Sequence, residues 1–137
     1  MKTNLRHIAV GLFLLSFFLP AYRPDHDAYS GWACLKFCFG TLTGNEVRGA
    51  WRIYYFGFVL TNLLFLLIWS LATLKNRYSS MCAWISLLPL VHVSSWLVLN
   101  FSDRERQGKL LVEYGYFIWL FSFMLLSISL LSGKNED

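Results

Sequence analysis

Four side chains in this chain could be the basis of chemistry: Cys34 and Cys38, four positions apart, and Asn62 and His92, each set inside a long apolar run. A C-x-x-x-C pair could act as a redox dithiol or supply half of a metal site. If the segment is helical, the two Cβ atoms stand about 6 Å apart, beyond the roughly 3.5–4.5 Å that a disulfide needs. A bridge would demand unwinding. The pair therefore reads first as buried, inert thiols or a structural disulfide, and only second as a catalytic dithiol. Zinc takes four ligands, and His26 is the only other candidate nearby, so no metal is expected.

An ionisable group inside a membrane-length apolar run is a functional candidate because it is costly to keep there. Asn62 lies 13 residues before Lys75 and His92 lies 15 after Arg77. With a tight turn at Lys75-Asn76-Arg77, the two should sit at equal depth near the midplane, with Ser122 at a similar level. Such a pair is either an interhelical hydrogen bond, worth about 0.6 and at most 1–2 kcal/mol, or part of a proton or ion path. A path usually needs acidic groups or several ionisable ones, and His92 is alone, so the structural role leads and transport follows. The sequence holds no H-E-x-x-H, no glycine-rich phosphate loop and no nucleophile with a positioned base. No catalytic residue and no cofactor are expected.

The elements that must position these groups belong in lipid. The 137 residues are 56% hydrophobic, 18% aromatic and only 15% charged, against about 25% charged in soluble domains. Mean hydropathy is +0.47. Four spans of about 20 residues would use about 80 residues and leave only short loops and tails. That excludes a large α/β enzyme, a DNA-binding module and a receptor ectodomain. The net charge of +4 comes from Lys and Arg scattered in ones and twos. Nucleic acid would want a clustered stripe, so the excess reads as anchoring to anionic headgroups.

Hydropathy predicts spans at about residues 5–22, 51–74, 80–101 and 110–131, with an outer loop over 23–50. The first has an apolar core of 15 residues, Ile8 to Tyr22, roughly 22 Å of helix against a hydrocarbon core of about 30 Å. A basic start before a short apolar run also describes a signal peptide. Leu19 stands where cleavage wants a small residue, so the segment is read as a retained span. The second, Trp51 to Leu74, has no charge beyond Arg52 and places Trp51, Tyr54, Tyr55 and Trp69 as aromatic belts. Pro89 predicts a kink in the third. Ser122, Ser127 and Ser129 in the fourth, with Gly57 and Thr61 in the second, are small residues that permit close helix approach. The expected fold class is all-α: an integral membrane antiparallel four-helix bundle with a short interfacial segment in the first outer loop.

That segment is aromatic and weakly charged. Trp32, Leu35 and Phe39 share a face at helical spacing, which predicts a short helix lying on the bilayer surface. Tyr29, Trp32, Phe37 and Phe39 are its candidate partner-binding residues. With both termini inside, five Lys and Arg fall inside and seven outside. Termini inside is still preferred, because the basic start before the first apolar run usually sets orientation.

Leu15-Ser16-Phe17-Phe18-Leu19-Pro20-Ala21, followed by Gly31-Trp32, resembles a loose group of small bacterial four-span membrane proteins. In these the first span ends in F-L-P and a Gly-Trp or Gly-Tyr follows. The group also has an aliphatic-Asn pair in the second span, as in Thr61-Asn62-Leu63-Leu64, and G-Y-x-x-W-L-x-S in the last, as in Gly115-Tyr116-Phe117-Ile118-Trp119-Leu120-Phe121-Ser122. The resemblance implies the topology and a bacterial inner membrane, and transfers no catalytic residue. Four-helix enzymes that pass electrons from thiols to quinone are similar in span count and in cysteines after span one. They use C-x-x-C and a second cysteine pair in the second outer loop, which this chain lacks.

The resulting expectation is a non-enzymatic accessory, immunity or partner-binding subunit. A small transporter or channel using Asn62 and His92 is the alternative, and a thiol oxidoreductase using Cys34 and Cys38 the second alternative. Expected partners are the bilayer and another membrane protein or a second copy of the chain, with no nucleic acid.

Overall fold

Helix α3, Ala50–Leu74, sets the scale of the molecule. Its 25 residues extend about 37 Å at 1.5 Å per residue. Phe58, Asn62, Phe65, Ile68 and Ala72 recur at three- and four-residue steps and are all buried, so one stripe of the helix faces its neighbours. The computed structural model describes residues 2–24, 26–41, 44, 47–74, 79–107 and 111–132. In chain order the remaining elements are α1 (Lys2–Ser16), strands β1 (Pro20–Tyr22) and β2 (Tyr29–Ser30), and then α2 (Gly31–Gly40). After α3 come α4 (Ser79–Ile85), α5 (Leu87–Gln107) and α6 (Tyr114–Leu131). The Lys75-Asn76-Arg77 connector and the tail from Gly133 lie outside the described residues.

Helices carry the fold, as the composition predicts. Among the described residues, three stretches are long and apolar enough to cross a membrane: Ala50–Leu74, Met81–Ser102 and Tyr114–Leu131. The main core is built by α1, α3, α4, α5 and α6 around Phe13, Phe65, Val93, Phe123, Leu126 and Leu130. Phe13 stacks on Phe65 with ring centroids 4.3 Å apart and meets Phe123 edge-on at 6.1 Å. The most extensive packing is α1 on α6. Hydroxyls inside this apolar core turn back onto their own helices. Ser16 donates to the Phe13 carbonyl, Ser122 to Trp119 and Ser129 to Leu126, at 2.6, 2.6 and 2.8 Å. Each polar group is thereby satisfied locally, without a partner from water. The buried Arg6 guanidinium donates to the Ala72 carbonyl near the C-terminus of α3, where a cation also complements the helix dipole.

The first segment differs from expectation. Its helix stops at Ser16 rather than running to residue 22, and residues 20–22 become a strand. Pro20 is the cause. It has no N–H for the Ser16 carbonyl, and its ring steers Leu19 away from helical backbone. The turn tightens through Phe17 N→Leu14 O and Phe18 N→Leu15 O bonds before the chain becomes extended. The third segment also departs from one kinked helix. It breaks at Ser86, three residues before Pro89, into α4 and α5. Pro89 is the third residue of α5, so its missing N–H falls among first-turn donors that have no helical partner anyway. The polar stretch after Phe101, expected as a loop, continues α5 to Gln107.

Candidate functional site

The strand after α1 organises one end of the molecule. β1 pairs antiparallel with β2, and Tyr22 also bridges to Val112 just before α6. Arg23 N donates to Leu111 O at 2.7 Å and Glu113 N to Ala21 O at 3.0 Å. The Arg23 guanidinium meets the Glu113 carboxylate at 3.0 Å. On the other side Gly31 N donates to Leu19 O at 3.0 Å and Trp32 N to Phe17 O at 2.9 Å, which fixes the start of α2. Ser30 caps that helix by accepting from Ala33 N at 3.3 Å.

Two glycines make this junction fit. A Cβ on Gly31 would lie 2.6 Å from the Ser16 carbonyl oxygen, and one on Gly115 would lie 2.5 Å from that of Pro20. Both obstacles are backbone and cannot rotate away. The Phe18-Leu19-Pro20 turn, Gly31-Trp32 and Gly115-Tyr116 are thus parts of one contact.

Beneath α2 this junction encloses a cavity of about 550 Å³. Cys34 and Cys38 line it from α2, Tyr55, Phe58 and Asn62 from α3, Trp96 from α5, and Tyr116 and Trp119 from α6. Its three buried polar side chains are already engaged. Ser16 bonds the Phe13 carbonyl, and Tyr116 donates to Val93 O at 2.6 Å. Asn62 donates to Phe58 O at 2.8 Å and accepts from the Trp119 indole at 3.0 Å. Among the described residues, Lys36 is the one charged residue on the lining. It is exposed, with Nζ 5.5 Å above the Trp32 ring centroid.

Cys34 and Cys38 lie one turn apart on α2 as free thiols, in keeping with a helix that keeps the sulfurs from bridging. Burial pushes the Cys34 thiol up to about 11. Burial, with Cys34 as a second cause, pushes Cys38 up to about 12. A thiolate is the form that attacks disulfides or binds metal, and neither residue supplies one near neutral pH. Cys82 packs in the main core, in a different cluster from Cys38. No group of three or more His, Cys, Asp or Glu is placed to hold a metal among the described residues.

Asn62 and His92 are not hydrogen-bonded to each other. The His92 ring lies 4.6 Å from Phe58 and 5.0 Å from Tyr54, centroid to centroid. It fills the notch over Gly57, where a Cβ would come within 2.7 Å of Nε2. That nitrogen is buried with no hydrogen-bond partner among the described residues. Ser95 donates to the His92 carbonyl at 2.6 Å, so the Tyr54 hydroxyl donates to Ser95 Oγ at 2.8 Å. His92 therefore sits at the level of Gly57, more than a turn from Asn62. Counting residues from the connector missed this register, and it overlooked Trp119, the donor that Asn62 does have. The bridge from Tyr22 to Val112 gave no local signal. Gly31 and Gly115 did, as glycines inside otherwise bulky runs.

The aromatic residues of loop one divide. Phe37 meets Tyr55 edge-on at 5.5 Å while staying half-exposed. Tyr29, Trp32 and Phe39 are 48%, 53% and 58% exposed and leave an apolar surface at this end of the molecule. No protein-family model, no curated protein and no solved structure matches the chain.

Proposed function

We propose that this is a non-enzymatic multi-pass membrane protein: an antiparallel four-helix bundle that serves another membrane protein as an accessory, immunity or partner-binding subunit. The order of cross-helix contacts supports the antiparallel arrangement. Arg6 meets Ala72 while Phe13 meets Phe65. Tyr54 meets Ser95 while Gly57 abuts His92. Tyr116 reaches Val93 while Ser127 reaches Ser86. In each pair one helix advances as its neighbour retreats. The distribution of polarity supports the bilayer. Leu63, Leu67, Leu88, Val91, Phe121 and Ile128 point outward, while Asn62, Ser122 and Ser127 are buried. A soluble helix would reverse this. Placement in the bacterial inner membrane with cytoplasmic termini follows from the resemblance and from the basic start.

The observation that carries the functional reading is the exposed aromatic surface of Tyr29, Trp32 and Phe39 beside the pocket. Aromatic residues are enriched at protein interfaces, where they bury large area at little entropic cost. In gentle detergent, affinity purification of the full chain is expected to retain a membrane partner or a second copy. The Trp32→Ser/Phe39→Ser double variant is expected to lose it while remaining in the membrane fraction. A wild-type chain that purifies as a lone monomer would sink the reading. The transport alternative has less support, because both polar groups of Asn62 are committed within the bundle. The thiol alternative is weakened by the raised Cys34 and Cys38.

A further inference from the structure

We propose that the cavity beneath α2 holds one acyl chain of an anionic glycerophospholipid, with the lipid phosphate met by Lys36 at the rim. The inference rests on the membrane reading above and adds a ligand to it. The cavity, at about 550 Å³, falls within the roughly 300–1,000 Å³ of small-molecule sites. Its wall is almost wholly aromatic and aliphatic. Ser16, Asn62 and Tyr116, the buried polar side chains on it, spend their hydrogen bonds on the protein itself. A polar solute would give up its water there and find few partners beyond the hydroxyls of Tyr22, Tyr29 and Tyr55. A hydrocarbon chain gives up no hydrogen bonds by entering, and in a bilayer it is the most abundant apolar group.

Charge selects the lipid. Among the described residues, Lys36 is the one ionic side chain on the lining, and it is exposed. Its contact over Trp32 holds the ammonium beside the opening. A lysine there suits a phosphate as a point charge and draws anionic headgroups over neutral ones. With α2 at the bilayer surface, as the membrane reading has it, that opening falls at headgroup depth.

The test uses the full chain reconstituted in phosphatidylcholine vesicles doped with phosphatidylglycerol or phosphatidylcholine carrying a diazirine on one acyl chain. Labelled peptides are mapped after photolysis. Label is expected on Cys34, Trp96 and Trp119 as well as on the outward Leu63 and Phe121, and phosphatidylglycerol is expected to label the pocket more strongly. Ala33→Trp, which fills the cavity, is expected to lower pocket labelling by about tenfold and leave Leu63 and Phe121 labelled. Lys36→Glu is expected to remove the preference for phosphatidylglycerol. Pocket labelling that is absent, unchanged by Ala33→Trp, or equal for the two wild-type lipids overturns the inference while leaving the membrane reading standing. Loss of label at Leu63 and Phe121 in the wild type overturns both.

Discussion

The indole of Trp119 donates to the amide oxygen of Asn62 at 3.0 Å, and the Asn62 amide nitrogen donates in turn to the Phe58 carbonyl at 2.8 Å. This chain of bonds crosses from α6 to α3 on the wall of the pocket. It explains how a polar side chain persists inside an apolar run: each of its two groups has a protein partner, so none faces lipid.

Breaking that link has a direction. Trp119→Phe leaves the Asn62 oxygen buried without its donor, and a loss of about 1–2 kcal/mol is expected. In an Asn62→Leu background the same change is expected to cost clearly less, since no acceptor is then stranded. Unfolding in mixed micelles across the four combinations measures the coupling. Additive losses would show that the bond contributes nothing.

Gly57 and His92 form a second coupled pair. Gly57→Ala alone drives a methyl group into the imidazole, which Tyr54 and Phe58 hold in place. Overpacking of this kind costs about 1–3 kcal/mol. With His92→Ala present, the space is open and the added methyl is expected to be neutral. The same double-mutant cycle reads this out, and equal costs in the two backgrounds would contradict the register described.

At Gly31 and Gly115 the obstacle is backbone, so no second-site change relieves it. Alanine gains at most about 1 kcal/mol of helix propensity over glycine. The clash with the Ser16 and Pro20 carbonyls is expected to cost about 1–3 kcal/mol, so both substitutions should be destabilising. A raised melting temperature for either would show that the turn and the helices are spaced more loosely.

The thiols predict a pH profile. Cys34 and Cys38 shift from an ordinary 9.0 to about 11 and about 12 in the folded protein. Folding therefore favours the protonated form. Stability should be intact below pH 9 and fall as pH rises from there through 11 to 12, because only the unfolded chain ionises at the lower end of that window. Alkylation of the folded protein should be slow at neutral pH and keep rising with pH past 9.0, where an ordinary thiol levels off, toward about 11. Rapid labelling near neutrality would contradict the buried placement of Cys38 and the partly buried placement of Cys34.

What could be read from the sequence was whatever depends on local pattern. The run from Trp51 to Leu74, charged only at Arg52, lies in α3, and the shared face of Trp32, Leu35 and Phe39 anticipated α2. What could not be read depends on contacts between distant residues. Tyr22 pairs with Val112 across 90 positions, and a three-residue strand carries too little alternation to announce itself. Pro20 sits in an apolar run that predicts a span through residue 22, and apolar neighbours on both sides hide where the helix stops. Asn62 and His92 were placed together by counting residues along two ideal helices. The break at Ser86 and the notch at Gly57 set a different register. The bond from Trp119 gave no signal, because an indole N–H that bonds across helices looks the same in sequence as one at a membrane surface.

The central claim, that the aromatic surface of loop one receives another membrane protein or a second copy, is tested most directly by placing a photo-crosslinking amino acid at Phe39 in living cells, with Leu63 as the outward-facing control. The account predicts a discrete protein adduct from position 39 that disappears with Trp32→Ser, and only lipid adducts from position 63. Lipid adducts alone from both positions would contradict it.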